Sequence, residues 1–563
     1  MKLIIRQYLA LLKESGGLDS ILPDLLLAMG IHPISKAQRG IRQYGVDVAA
    51  IGPDPDDGGK TKLFLLTIKR GDFGRTDWDD GSAQAVRPSL NEILDVYIPS
   101  HVAKEHKSLP IKIVVCAGGD LKQEIQLAWA QFIQQHSKAN EIEFDFWGGE
   151  KLAIWIEQHL LNESLLPDEP RKHLRKAIAL VGDPDYDLRD FYRLIDFFFE
   201  RGSDEKPLSR DKCLAKIRNA ILCTGIVIRW AQDEGDLRQA YIASERLLLG
   251  CWDFLRVNDC LDSKKLSDEI LIAYSIFQEV GNALFMKLQQ RCYIEDGFFV
   301  PWAGHIEYAL RLYDFIGIFA VLGIDQMVMQ NVSPASGAFL DNANAIVDTL
   351  AQLISNNGAS FSPPFDWHAN EIAMTLSLLA MTKSTENARN LIARLIGSLS
   401  FSFQSKSGFP VMTNSFDDLL AYRMGRHENP ESLGASTSIL PMLAEFCVVF
   451  GFNDEYSALV EHQHRTFKEV DYQIWQPDDS TDGKLYREPA RDTGICFNSI
   501  RLPESLADFR ADIIKREKQG AQISDISCLS DGMPILTVVA SRHFRTPLAP
   551  QTWRQLIPRE PSD

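Results

Sequence analysis

The sequence predicts a two-part protein: an α/β domain over residues 1–165, with a mixed sheet flanked by helices, and a large all-α region of packed helical hairpins over residues 166–563. Three observations lead there. At 563 residues the chain is longer than one hydrophobic core usually organises. Up to about residue 165 short apolar runs alternate with amphipathic segments, an α/β order. Beyond that point the 3.6-residue period takes over and connections become short.

The elements follow in chain order. MKLIIRQYLALLKESGG (1–17) reads as a short amphipathic helix and not a leader, because Arg6 and Lys13 interrupt its apolar run. LDSILPDLLLAMG (18–30) reads as a helix stopped by glycine. YGVDVAAIG (44–52) and KLFLLTIKR (62–70) read as strands, and GPDPDDGGKTK between them is a turn, so the two form a hairpin. Residues 86–105 suit a helix, 109–119 a strand, 120–138 an amphipathic helix, 141–149 a strand and 151–161 a helix.

NESLLPDEPRKH then reads as a polar joint. After it, helical periodicity covers approximately 186–200, 208–232, 236–257, 264–292, 305–329, 337–356, 367–382, 385–402, 435–451, 453–472 and 503–518. The stretch 534–544 is open between a lone strand and a buried helix. Residues 312–324 are apolar but contain Asp314 and are too few to span a bilayer, so they read as a buried helix and no membrane partner is expected.

A net charge of −17 argues against a surface that is basic throughout, as a whole-protein nucleic-acid glove would be. Residues 1–165 carry 18 Lys+Arg against 22 Asp+Glu, so most of the acidic excess lies downstream and any nucleic-acid contact falls to the front. Nine cysteines without a C-x-x-C pair read as reduced, mostly buried thiols, as in a cytoplasmic protein.

The hairpin carries the chemistry. Hydrolysing a phosphodiester needs a divalent cation to polarise the phosphate and a positive side chain to position water or stabilise charge. Residues two apart in a strand point the same way, so an acid on one strand and an x-x-Lys on the next can share a face. Asp47 lies in the first strand between Val46 and Val48, and Lys69 lies in the second with Thr67 beside it. The bland alternative is a plain ion pair between neighbouring strands.

YGVDVAAIG, a turn and LFLLTIKRG together resemble the core of the PD-(D/E)XK restriction-endonuclease-like superfamily, in particular the Mrr-type pattern of G-x-D, a hairpin and [E/Q]-x-K-R. The strand IKIVVCAGG, the helix after it and EFDFWGGEKLAIWIEQHL fit the later elements of that fold. The resemblance covers roughly residues 15–165. It implies a metal-dependent nuclease using Mg2+ or Mn2+, acting on DNA in preference to RNA. In that reading Asp47 and Asp19, which stands eleven residues before Gly30, hold the metal with the Ile68 carbonyl, and Lys69 assists the attacking water. Nucleases joined to large helical regions look like restriction or anti-phage defence effectors, with the helices sensing, regulating, binding a protein partner or self-associating.

One departure matters. The family places Glu, Asp or Gln where this chain has Thr67, and a hydroxyl is a poor ligand for a hard cation. Three arrangements follow: a metal held by Asp19, Asp47 and Ile68 with waters, a substitute acid such as Asp72, or a nuclease fold that binds nucleic acid or protein without cutting.

Other signals are secondary. Arg70, Arg75, Lys60, Lys62, Lys104 and Lys107 are available for phosphates and Trp78 for stacking on a base, although each is more often an ordinary surface residue. Asp54, Asp56, Asp57 and Asp77, Asp79, Asp80 read as solvated turns, because the glycine spacing is wrong for an EF-hand. His462 and His464 diverge on a helix, and His368 reads as a capping or packing residue. No P-loop or G-x-G-x-x-G is present.

Overall fold

The computed structural model describes residues 5–6, 9–10, 18–34, 44–82, 85–160, 168–183, 186–200, 207–301, 304–334, 336–517 and 526–558. Most of the segment expected as a helix over 1–17, Leu161, and residues 162–167 of the joint lie outside these. The chain divides into two compact units, Met1–Ala243 and Ser244–Asp563.

In the first unit five strands form one mixed sheet in the order β1 (His32–Pro33), β2 (Val48–Pro53), β3 (Thr61–Lys69), β4 (Ile111–Ala117) and β5 (Ile142–Trp147). The β1–β2 and β2–β3 pairs are antiparallel and the β3–β4 and β4–β5 pairs parallel. The predicted hairpin is therefore present, and helical crossovers return the chain for the parallel pairs, as parallel strands require.

Flanking helices cover both faces. On one, Leu63 and Leu65 of β3 and Ile113 and Val115 of β4 form a core with residues of α2 (Arg75–Trp78), α3 (Val86–Glu92) and α4 (Gln123–His136), including Leu90, Trp129 and Phe132. On the other, Phe64 lies 5.9 Å from Trp147, whose ring meets Trp155 of α5 (Gly149–Trp155) edge-on at 4.8 Å. Helix α1 (Asp19–Ala28) packs against β1 and the π-helical turn Ile156–Leu160.

This unit also contains α6 (Asp168–Leu180), α7 (Arg189–Phe199) and α8 (Arg210–Asp233). Arg218 of α8 pairs with Asp24 of α1. Helix α6 occupies part of what the sequence presents as a polar joint. Its Pro170 lies in the first turn, where a missing N–H costs nothing, so a residue that reads as a breaker is compatible with a helix start.

A second departure lies at the turn end of the hairpin. Asp54, expected in a solvated turn, is fully buried, and Lys62, expected near phosphates, is 2% exposed. The Asp54 carboxylate accepts from Lys62 at 2.8 Å, from Lys112 at 3.0 Å and from the Asp56 N–H at 3.0 Å. Lys62 also pairs with Asp57 and Glu143, and Lys151 bridges Asp56 and Asp145. Buried charges survive only when paired and hydrogen-bonded, and this network meets that condition across β3, β4, β5 and α5.

Burial alone would raise the Asp54 carboxyl, but the bonds from Lys62, the Asp56 amide and Lys112 outweigh it and hold the group at about 2, below its ordinary 3.8. The stability it contributes is present above 3.8 and is lost as pH falls from there towards about 2. Replacing Asp54 by Ala leaves two buried ammonium groups short of a partner and is expected to cost about 3 kcal/mol at neutral pH in urea unfolding. The gap between wild type and Asp54→Asn is expected to narrow across the same acidic window.

The second unit is mainly helical. Its elements include α9 (Lys264–Cys292), α10 (Gly304–Val332), α11 (Ala338–Ser355), α12 (Ala369–Met381), α13 (Thr385–Gln404), α14 (Ile439–Phe450), α15 (Asn453–Arg465), α16 (Leu506–Glu517) and α17 (Ile535–Phe544). Helix α10 is long and apolar enough to cross a membrane by length and composition, yet 83% of its most apolar window is buried against neighbours that include α11, α12 and α17. It is the central core helix of this unit.

An all-α region is not quite what forms. Ser436–Thr437 pairs with Asp471–Tyr472, and Ile474–Gln476 pairs with Ile495–Phe497. The helix expected over 453–472 accordingly ends at Arg465. These strands are two or three residues long, too short to show a period in sequence. Residues 534–544 resolve as the buried helix α17.

Inside this unit Arg542 binds Glu245 at 2.7 Å through Nε and Asp314 at 2.9 Å through Nη1. Burial pushes the nearby Glu371 carboxyl up to about 7, against the opposing charges of Arg542 and Arg545. An acid raised by folding favours the folded state when protonated, so its penalty appears as pH rises from 4.5 through about 7. Glu371→Gln is expected to raise the thermal midpoint at pH 8 and leave it nearly unchanged at pH 5, a difference of roughly 3 kcal/mol in unfolding free energy.

Candidate active site at the end of the hairpin

Asp47 lies just before β2, where the ladder departs from its register. Its N–H donates to the Leu66 carbonyl at 2.8 Å, while Val48 is the residue paired with Leu66. Two residues thus stand opposite one, which is a β-bulge. The alternation assumed from sequence fails here: Val46 joins the core cluster of Ala49 and Leu65, and Val48 is buried outside it.

The Asp47 carboxylate is placed by its bonds instead. Oδ2 accepts the Ile68 N–H at 2.7 Å and has the Thr67 hydroxyl at 3.5 Å, the weak limit of a hydrogen bond. A side-chain carboxylate thereby substitutes for a main-chain acceptor at the strand end, which fixes its position relative to β3. Its charge is felt at the buried Cys116 of β4, whose thiol is pushed up by burial first and then by Asp145 and Asp47.

Lys69 ends β3, half-buried, opposite Ala117 of β4. Strand alternation puts it on the face of Thr67, Leu65 and Leu63. The exposed Asp80 carboxyl is lowered by bonds from Ser82 and, in smaller part, by the Lys69 charge. Asp47, Thr67 and Ile68 are therefore brought together, with Lys69 the next residue along. Asp19 opens α1 on the helix that flanks β1.

The strand ends around Lys69 are stitched by glycines. The Gly119 N–H donates to Gly71 O at 2.8 Å, and the Gly149 N–H to Gly119 O at 2.8 Å. A Cβ on Gly118 would stand 1.9 Å from Leu9 O, and one on Gly149 would stand 2.2 Å from Gly118 O. Asp72, the candidate substitute acid, accepts the Asp120 N–H at 3.0 Å, and Asp120 pairs with Arg6. Asp72 thus ties loop to loop.

The expected nucleic-acid contacts separate into two groups. Arg70 and Arg75 are exposed and follow Lys69 directly in the chain. Lys104 and Lys107 are also exposed, but they precede β4, whose first residue pairs with Leu63, about 20 Å along β3 from Lys69. Lys62 is locked in the ion network described above. Trp78 is a core residue, 7% exposed, with its ring edge-on to Phe73, Trp129 and Phe132.

No group of three or more His, Cys, Asp or Glu side chains that could hold a metal gathers among the described residues. No family model, no curated protein and no solved structure matches the chain.

Gly149→Ala is expected to force apart the loops after β4 and β5 and to lower unfolding stability by about 1–3 kcal/mol, read by urea titration.

Proposed function

We propose that the first unit is a metal-dependent nuclease of the restriction-endonuclease-like kind, acting on DNA in preference to RNA with Mg2+ or Mn2+. The observation that carries this reading is the Asp47 carboxylate, fixed at 2.7 Å on the Ile68 N–H at the end of the hairpin, one residue before Lys69. In this reading Asp47 holds the cation that polarises the phosphate, and Lys69 positions water or stabilises the charge that develops. Asp19 and the Ile68 carbonyl complete the cation's surroundings. Arg70 and Arg75 are the exposed cations next in the chain and grip phosphates. The helical unit would regulate the front or bind a protein partner, as in a cytoplasmic restriction or anti-phage effector.

A second reading has its own support. Thr67, 2% exposed and turned towards Asp47, supplies a hydroxyl where cutting enzymes of this kind place a carboxylate or amide. That favours a nuclease fold that binds nucleic acid without cleaving it.

Plasmid nicking with Mg2+ or Mn2+ separates the two. Asp47→Asn keeps an oxygen for the Ile68 N–H, so it is expected to keep the wild-type thermal midpoint and to lose nicking by at least about 100-fold, with Lys69→Ala losing a similar factor. A wild-type protein that retards the plasmid without nicking it establishes the second reading.

A further inference from the structure

The helical unit carries a half-open cavity of about 320 Å³, within the range of small-molecule sites. Segments 366–373, 412–414, 438–445, 473–475 and 545–553 form its walls, together with Arg491 and Cys496. Trp367, Trp475, Met412, Met442 and Leu548 make the lining largely apolar.

Two carboxylates reach this wall, and both are already satisfied. Asp366 accepts from the Thr437 hydroxyl at 2.6 Å and from the Ser438 N–H at 2.9 Å and hydroxyl at 2.5 Å. Glu445 is clasped by Arg554 and by the Trp553 indole, each at 2.9 Å. Glu445 is thus taken up by Arg554, while Asp366 is held by neutral donors and its charge, like that of Glu371, draws on the nearby Arg491.

Two guanidinium groups share the wall with them. Arg491 directs its hydrogen bonds to neutral oxygens, the Arg545 carbonyl at 2.6 Å and the Asn414 side chain. The Arg545 guanidinium lies over the Trp367 ring, 4.2 Å from its centroid. The groups are near enough to act on each other: burial, and then the charge of Arg545, lower the Arg491 pKa. Burial and the same charge keep His368 neutral, at about 3.

We propose that this cavity binds a small organic anion, with a planar apolar body against Trp367, Trp475 and the two methionines and one carboxylate or phosphate group held by Arg491 and Arg545. A bound anion relieves the repulsion between the two guanidinium groups, and paired oxygens on either head group match their forked donors. The aromatic walls supply the apolar contact that fixes orientation. The site stands apart from the nuclease reading and does not depend on it.

The test is calorimetric titration of the full chain with 2-naphthoate, 2-naphthyl phosphate and uncharged 2-naphthol. At least one anion is expected to bind saturably, one to one, and about tenfold or more tighter than the naphthol. The stronger anion identifies the head group. Arg545→Met changes an exposed side chain, and its thermal midpoint is read to check that the fold is kept. It is expected to weaken the anion about tenfold and leave naphthol binding unchanged, and Arg491→Met to do the same with its thermal midpoint read alongside. Absence of saturable binding by any of the three, equal affinity for the naphthol, or an anion affinity untouched by Arg545→Met overturns the proposal.

Discussion

The hydrogen bond from the Ile68 N–H to the Asp47 carboxylate decides what the front of this molecule can do. Because an acid takes the place of a main-chain carbonyl, the end of β2 is anchored to β3 by a group that also carries charge. The bulge at Asp47 exists in that arrangement, and so does the short path from the carboxylate to the residue preceding Lys69. The interlocked glycine loops then leave the neighbouring strand ends no room to move independently. Structure and prospective chemistry thus share one carboxylate, which is why a substitution that keeps the acceptor and removes the charge separates them.

Much of this architecture was legible in the residues. The hairpin, the two parallel strands and the helices between them follow from apolar runs, breakers and periodicity, and nine of the eleven helical segments expected in the remainder fall within three residues of their bounds, the other two being cut short by the paired strands at 436–437 and 471–472. What failed did so for local reasons. A bulge is one residue out of register and has no period, so the direction of Asp47 was not available from alternation. Strands of two or three residues in the second unit leave no pattern, and Pro170 looks like a breaker although it sits where a helix tolerates it.

Lys62 and Lys69 show how much a count along one strand can say. They close the same apolar run, but seven positions apart they lie on opposite faces and at opposite ends of β3. Lys62 has Lys112, Glu143 and Asp145 as same-face neighbours on β4 and β5, and the lone lysine of PIKIVV with the alternating acids of EIEFDF were the signal that a buried network, and not a phosphate, awaited it. Burial of Asp54 was harder to read, because an aspartate in a glycine-rich turn looks the same whether water or lysine surrounds it.

The central helix of the second unit has a consequence for how the chain is made. Its apolar surface is covered in part by Ile535–Phe544, a segment translated some two hundred residues after it. Until that segment leaves the ribosome, a stretch greasy enough to suit a bilayer waits with an incomplete cover. Such long-range closure slows folding and prolongs exposure of sticky surface, so nascent chains of this protein carry their greatest aggregation hazard late in synthesis.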